Sequence, residues 1–523
     1  MIRRLKLLFC AALFTLMVSC SDWLKVSSED RIMENDLFRT SHGFMTALNG
    51  IYIDLLNTSL YGKTLTWGMT DILAQYYTCR EKDHIYSSLA TFNNVSKNST
   101  VNGTWSRSHA LLNNINTLLE HCESDRGVLN DTYYHLIKGE ALALRALLNF
   151  ELYRIFGPNY NGDKDSECLP YALTSETKIN PLLSAKEVTR LIVEDLKNAE
   201  GLLTGYDPVI EEGVVWADEP DGGVNDMRYR SMRLNYYAVQ ALMARVALYC
   251  GDKEMAWEYA SKMIRGIHEE HKWFPFVTQE EVAATDKEDR IFQNEILFGL
   301  YNLKRKETVY SVGFGPNLRQ SSVLRVDKDI MNEMYEGDEN DFRLAYWFSE
   351  MVDPDNNSYT HMIKYMDVDD IDEKTKVSRG YTYIIPVLRM SEVYLIAAEC
   401  CPDPKVGRDY LNVVRSARNV KNVEDEVDLM TAIEQHFDQL CRKVSGAVNK
   451  LPQGCYEPIV IDDMMDVYGM FYALTSDRYE YPEMYKYANM IRRELLGVKG
   501  IKRINIYCNR DEVINISLSK EKI

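Results

Sequence analysis

Apolar residues recur along this chain at helical spacing. Within residues 41–56, Phe44, Leu48, Ile51 and Leu55 fall on one 3.6-residue stripe, and Leu112, Ile115 and Leu119 do the same within 105–119. The run over 134–156 carries the strongest such pattern, and Gly157-Pro158 must end it because proline cannot continue a helix. Ser184-Ala185-Lys186-Glu187 has the spacing of a capping box and predicts a helix to residue 203. Helices over 232–249 and 253–267 are joined only by Cys250-Gly251-Asp252. A second pair, 390–399 and 406–418, is joined by Cys400-Cys401-Pro402-Asp403-Pro404. In the first pair Ala244, Gly251 and Ala256 stand at tetratricopeptide-like offsets, small residues where helices meet and a glycine at the turn. Long stretches rich in Gly, Pro, Asp, Asn and Tyr break the repeat at 159–183, 205–230 and much of 274–381, and loops this long in a folded protein are usually functional. The pattern predicts a mostly α fold, a tetratricopeptide-like scaffold of helical pairs carrying long irregular loops.

The first residues follow another pattern. Arg3, Arg4 and Lys6 precede an apolar run over 7–18 that ends at Ser19-Cys20. A bilayer takes about 20 apolar residues to cross, so this run reads as an export signal and not a span. Leu16-Met17-Val18-Ser19-Cys20 resembles a lipobox, in which cleavage precedes an acylated cysteine, with Met17 where leucine is usual. An ordinary secretory signal with an incidental cysteine is the alternative; Cys10 has too little apolar sequence ahead of it to serve. Acyl chains on Cys20 would anchor the protein to a membrane, each buried methylene contributing about 0.8 kcal/mol.

Charge narrows the partners. The 523 residues carry 60 Lys and Arg against 78 Asp and Glu, a net charge of -18. Nucleic acid is disfavoured, because phosphate neutralisation needs Lys and Arg, and so is docking on anionic lipid through a basic face. Tyrosines number 34 against 16 phenylalanines and 7 tryptophans; a tyrosine ring with a polar tip suits wet interfaces, although packing accounts for most of them. Of the 11 cysteines, those beyond Cys10 and Cys20 are odd in number and show neither a C-x-x-C pair nor metal-like clustering. Cys250 and Cys400 fall in apolar helical patterns and read as small buried hydrophobes. His268-Glu269-Glu270-His271 spaces its histidines three apart where a helical zinc motif needs four, and reads as a solvated helix end. Asp367-Val368-Asp369-Asp370-Ile371-Asp372 lacks the turn glycine and closing glutamate of an EF-hand loop. A phosphate-binding lysine loop and a G-x-S-x-G elbow are both missing from the sequence. Neither a metal nor a cofactor is expected.

Five segments in order resemble the SusD/RagB outer-membrane lipoproteins, nutrient-binding partners of TonB-dependent transporters in gut Bacteroidetes. They are Cys20-Ser21-Asp22-Trp23-Leu24 followed by Ala47-Leu48-Asn49-Gly50-Ile51-Tyr52; Trp105 with Ile115-Asn116; and Glu140-Ala141-Leu142-Ala143-Leu144-Arg145-Ala146 running to Tyr153-Arg154-Ile155-Phe156-Gly157. The fourth is Ala241-Leu242-Met243-Ala244-Arg245-Val246-Ala247-Leu248-Tyr249. The fifth runs from Leu388-Arg389-Met390-Ser391-Glu392 to Ala398-Glu399, with Tyr410-Leu411-Asn412 and Arg415 beyond it. After about residue 420 the likeness fades: 431–441 occupies the place of an Arg-Glu-rich helix without its motif, Arg492-Arg493-Glu494-Leu495-Leu496-Gly497 looks like part of that motif arriving late, and Asn509-Arg510-Asp511-Glu512-Val513 resembles a degenerate closing element.

The resemblance implies a division into a signal peptide (1–19), a lipidated tether (20–40), an N-terminal SusD-like helical region (41–270) and a C-terminal SusD/RagB-like region (271–523). It implies a surface lipoprotein of the outer membrane that binds a glycan and passes it to a SusC-like TonB-dependent transporter, by capture and without catalysis. Family ligands are held by loops near the N-terminal helices and in the irregular centre. Asp71, Tyr76, Tyr77 and Arg80 occupy the first location and Trp273, Tyr310, Phe314 and Trp347 the second; for each, ordinary packing is the competing role. Trp105 and Trp257 are assigned to the scaffold. Two other classes remain open, an all-helical surface glycoside hydrolase and a tetratricopeptide scaffold for protein assembly.

Overall fold

A computed structural model describes residues 34–424 and Leu429, apart from 75, 80–82, 92–98, 177, 219–222, 285–287, 327, 329–330, 333–334, 353–355, 357 and 367–382. The leader with Cys20, Arg80, the aspartate run at 367–372 and the C-terminal motifs from 431 onward lie outside the described residues. All described residues fall in one unit, 1–465.

Eight longer helices carry the fold: α1 (Ser41–Leu55), α2 (Ser99–Ser124), α3 (Asp131–Phe156), α4 (Ala185–Leu203), α5 (Tyr236–Tyr249), α6 (Lys253–Met263), α7 (Met390–Cys400) and α8 (Pro404–Ser416). From α2 onward each packs on the next, so α3 with α4, α5 with α6 and α7 with α8 form pairs linked through α4–α5 and α6–α7. The scaffold is therefore the helical-pair, tetratricopeptide-like one that the periodicity predicts. Gly251 turns the chain between α5 and α6 at φ +76°, where a Cβ would come within 2.7 Å of Asn161 Oδ1. Ala244 and Ala256 are fully buried where that pair meets.

Two details differ from the sequence reading. Ser184 does cap α4, accepting from the Glu187 amide at 3.3 Å, but the Glu187 carboxylate turns to Arg190 and the box stays half made. A complete capping box stands instead at Thr278 and Glu281. The histidine pair does stand at a helix end where Glu269, Glu270 and His271 are exposed, but His268 is half-buried and engaged. The pair closes the π-helical turn Ile264–Glu270 that follows α6; His268 Nδ1 lies 2.7 Å from the Tyr394 hydroxyl on α7, and His271 stacks on Trp273 at 4.3 Å. Among the described residues no cluster of His, Cys, Asp and Glu is arranged for a metal ion.

Helix α3 is buried along most of its length, so its few polar side chains must find partners inside. Arg145 forks onto Asp195 of α4 with two bonds of 2.7 Å, and Tyr171 donates to the same carboxylate at 2.7 Å. Glu140 accepts from Arg230 at 2.7 Å and from Tyr52 at 2.8 Å, and Arg230 also clasps Asp207 with two bonds of 2.9 Å. These clusters tie the loops on both sides of α4 to the scaffold.

The long connections are less irregular than expected. They hold three two-stranded antiparallel sheets: β1 (Glu167–Pro170) with β2 (Leu182–Ser184), β3 (Ile296–Tyr301) with β6 (Ile384–Arg389), and β4 (Phe348–Val352) with β5 (Ser358–Met362). Strand β3, buried at all but its last residue, is an uninterrupted apolar run, a pattern that periodicity alone cannot separate from helix.

Candidate functional site

A cavity of about 740 Å³ opens where the scaffold meets the loops, within the usual size range of small-ligand clefts. Phe150, Glu151 and Arg154 from the end of α3 form one wall with Arg245, Leu248 and Tyr249 from the end of α5. The segment after α1 contributes Asp71, Tyr76 and Tyr77. Tyr335, Arg343 and Trp347 come from the central region, Lys364 and Tyr365 follow β5, Arg389 ends β6, and Glu392 lies in the first turn of α7.

Backbone pairing explains the convergence. Asp71 sits in the short helix Met69–Leu73, and its carbonyl accepts from the Tyr76 amide at 3.0 Å. Thr78 then bridges to Arg325, and the adjacent Val326 bridges to Thr360 on β5. Those two bridges stitch the N-terminal loop to the central one. The β4–β5 hairpin opposes Phe348 to Met362, and beside that pair the Ile363 amide donates to the Trp347 carbonyl at 2.7 Å. Lys364 consequently lies over the Trp347 ring, its Nζ 4.3 Å from the centroid.

Of the residues singled out in the sequence, Asp71, Tyr76, Tyr77 and Trp347 line this one cavity. Tyr76 is 41% exposed. Tyr77 is buried and donates to Asp71 at 3.2 Å. Trp347 stacks on Phe292 at 4.9 Å and fixes its indole by donating to the Arg290 carbonyl at 2.7 Å. The other three are placed elsewhere. Phe314 is fully buried among Trp67, Tyr77 and Tyr365, so the core hides the ring faces a ligand would need. Tyr310 is buried with its hydroxyl 3.5 Å from His361, and Trp273 is packed against His271, Tyr237 and the Gly213 backbone. Sequence reasoning missed Tyr249, Tyr335, Lys364 and Arg389. Tyr249 continues an apolar helical stripe and reads as core, yet it is 37% exposed at the cavity edge.

Charge in the cavity is uneven. Arg154 pairs with Glu151 at 3.1 Å, Arg245 forks onto Glu392 with two bonds of 2.6 Å, and Arg343 is held by Asp341 behind the wall at 2.6 Å. Lys364 and Arg389 have no carboxylate or hydrogen-bond partner among the described residues. Burial, and then the Arg389 charge, push the Lys364 ammonium well below the ordinary lysine range, with Asp71 opposing. Burial likewise lowers Arg389, which Glu295 partly offsets. A desolvated cation–π contact returns about 2 kcal/mol, less than the several kcal/mol that burying an ion costs. The Trp347 face therefore does not fully compensate Lys364.

Asp71 is pushed up to about 6 by burial, against the opposing pull of the Tyr77 hydroxyl, Lys364 and Thr70. A carboxyl raised in the folded state adds stability below the unfolded value of about 3.9, and that contribution is lost as pH rises through about 6. Asp71→Asn should therefore raise stability at pH 7.5, by on the order of 1 kcal/mol after solvent screening. The advantage should fade between about pH 6 and 4. Thermal melts of both proteins across that window check this, and an advantage that grows toward acid would contradict it.

Comparison with known proteins accords with the architecture. Residues 22–207 match a family model described as starch-binding and associating with the outer membrane, and residues 212–435 match the SusD family model. Two proteins of Formosa agariphila named SusD-like are 30% identical over 190 residues and 24% identical over 208 residues. These alignments cover 36% and 38% of this chain and span only 35% and 38% of the relatives' lengths. Among solved structures, a SusD-like carbohydrate binding protein from Bacteroides vulgatus superposes with TM-score 0.57 at 19% identity, covering 78% of this chain and 81% of its own. A SusD superfamily protein from Bacteroides thetaiotaomicron gives 0.59 at 22% identity, covering 78% and 86%. The chain belongs to the SusD/RagB family.

Proposed function

We propose that this protein captures a glycan at the outer membrane and delivers it to a SusC-like TonB-dependent transporter, held at the cell surface by lipid on Cys20. The observation that carries this reading is the cavity onto which Asp71, Tyr76, Tyr77 and Trp347 converge from loops far apart in sequence. Tyr76 and Tyr249 offer aromatic surface on which apolar sugar faces can lie, with polar and charged groups between them to meet the hydroxyls. A carbohydrate ligand is supported by the starch-binding family matched over residues 22–207 and by the carbohydrate binding protein of Bacteroides vulgatus that shares the fold.

Capture fits the site better than hydrolysis. Glycoside hydrolysis takes a pair of available carboxyl groups. Asp71 could serve as the acid, but the other carboxylates lining the cavity, Glu151 and Glu392, are both engaged by arginines. Calorimetry of the full chain against a panel of neutral and acidic oligosaccharides should find a binder that is recovered intact. Turnover of that binder would favour a hydrolase, and silence across the whole panel would sink glycan capture. In mild detergent the protein should co-purify with a transporter, through an interface above about 1,000 Å².

A further inference from the structure

We propose that the ligand of this cavity is an acidic saccharide, its carboxylate or sulfate group received between Lys364 and Arg389. The inference rests on the glycan-capture reading and specifies the substrate class of the same site. It starts from the ionic inventory of the walls. Three arginines there are already matched by carboxylates of the chain, whereas Lys364 and Arg389 face the cavity without such a partner among the described residues. Asp71 is the remaining lining carboxylate; its hydrogen bond comes from Tyr77, and with Lys364 it shares attraction but no direct ion pair.

Desolvation disfavours the charge of both half-buried groups, and the Arg389 charge disfavours that of Lys364 further, an unfavourable arrangement in the unliganded protein. An anion between them reverses both terms, supplying each with an opposite charge at close range in a medium that screens poorly. A neutral sugar supplies neither. The guanidinium offers two parallel donors that fit a carboxylate or a sulfate, and the ammonium adds a compact third contact. Arg389 is fixed at the junction of β6 and α7, and Lys364 at the end of the β4–β5 hairpin against the Trp347 face. The positive groups are thus held by regular structure before a ligand arrives. The net charge of -18 does not oppose this, because at physiological salt surface charges beyond about 8 Å are largely screened, while groups inside the cavity are not.

The test uses the full chain and three probes of similar length: an oligogalacturonate, a chondroitin sulfate oligosaccharide and a neutral malto-oligosaccharide. Calorimetry should show at least one acidic probe binding about tenfold or more tighter than the neutral one, with that affinity falling as salt is raised. The two acidic arms tell carboxylate from sulfate. In Lys364→Met and in Arg389→Met the ratio of acidic to neutral affinity should fall about tenfold, each having lost one charge-assisted contact. Lys364→Arg, which keeps the charge, should retain most of the ratio, and melts of each variant establish folding. Equal or tighter neutral binding by the wild type, or an unchanged ratio in both methionine variants, would overturn the proposal and leave glycan capture standing. Failure to bind any probe, together with silence across the wider panel, would remove both.

Discussion

Replacing Tyr76 with alanine should cost at least about 2 kcal/mol of glycan binding, the usual effect of truncating an anchoring aromatic, or roughly thirtyfold in affinity. Stability should hardly change, since a 41% exposed side chain on a loop usually moves it by less than about 0.5 kcal/mol. Phe314→Ala is the counterpart. Its ring fills the core beneath the same loop, so its loss should cost about 3–5 kcal/mol of stability while the folded fraction keeps its affinity. Calorimetry and denaturant unfolding on the two variants separate the roles. Wild-type affinity in the folded Tyr76 variant would show that the sugar lies on another wall.

A stability effect as large is expected at Arg230. Its guanidinium is 1% exposed and satisfies both Asp207 and Glu140, themselves buried at 2% and 1%. Arg230→Ala strands two carboxylates away from water, and breaking such a pair typically costs about 3–5 kcal/mol. Asp207 also accepts from the Tyr236 amide at the start of α5, so the damage should spread into the α5–α6 pair. Arg190 provides the contrast: it bonds Glu187 and Glu194 on the exposed face of α4, where such pairs are worth at most about 1 kcal/mol. Urea midpoints for Arg230→Ala and Arg190→Ala should differ several-fold in shift, and equal shifts would show that the buried cluster is not a clamp.

How much of this protein could be read from the chain depends on the range of the physics involved. Helix α3 was legible because its apolar spacing and its Gly157-Pro158 stop lie within one segment, and helical hydrogen bonds reach only four residues. The same holds for the turn at Gly251 and for the cap at Ser184. Strands β3 and β6 were not legible, since each is stabilised by a partner more than eighty residues away in the chain and carries no local signature of that pairing.

Site residues divide in the same way. Tyr76 and Tyr77 are neighbours of one type in one loop, yet one is 41% exposed at the cavity and the other 4% exposed with its hydroxyl on Asp71. No local pattern distinguishes them, because the loop is pinned at Thr78 by Arg325 from far along the chain. Phe314 and Trp347 look alike as central-loop aromatics, and packing makes one core and the other a wall. Lys364 and Arg389 are the sharpest case. Sequence places each in a mostly apolar stretch, and a charge acts on whatever lies within a few ångströms in space, not along the chain. The amino-acid order determined the helices, their pairing and the family; tertiary contact alone decided which cations were matched and which were left facing the cavity.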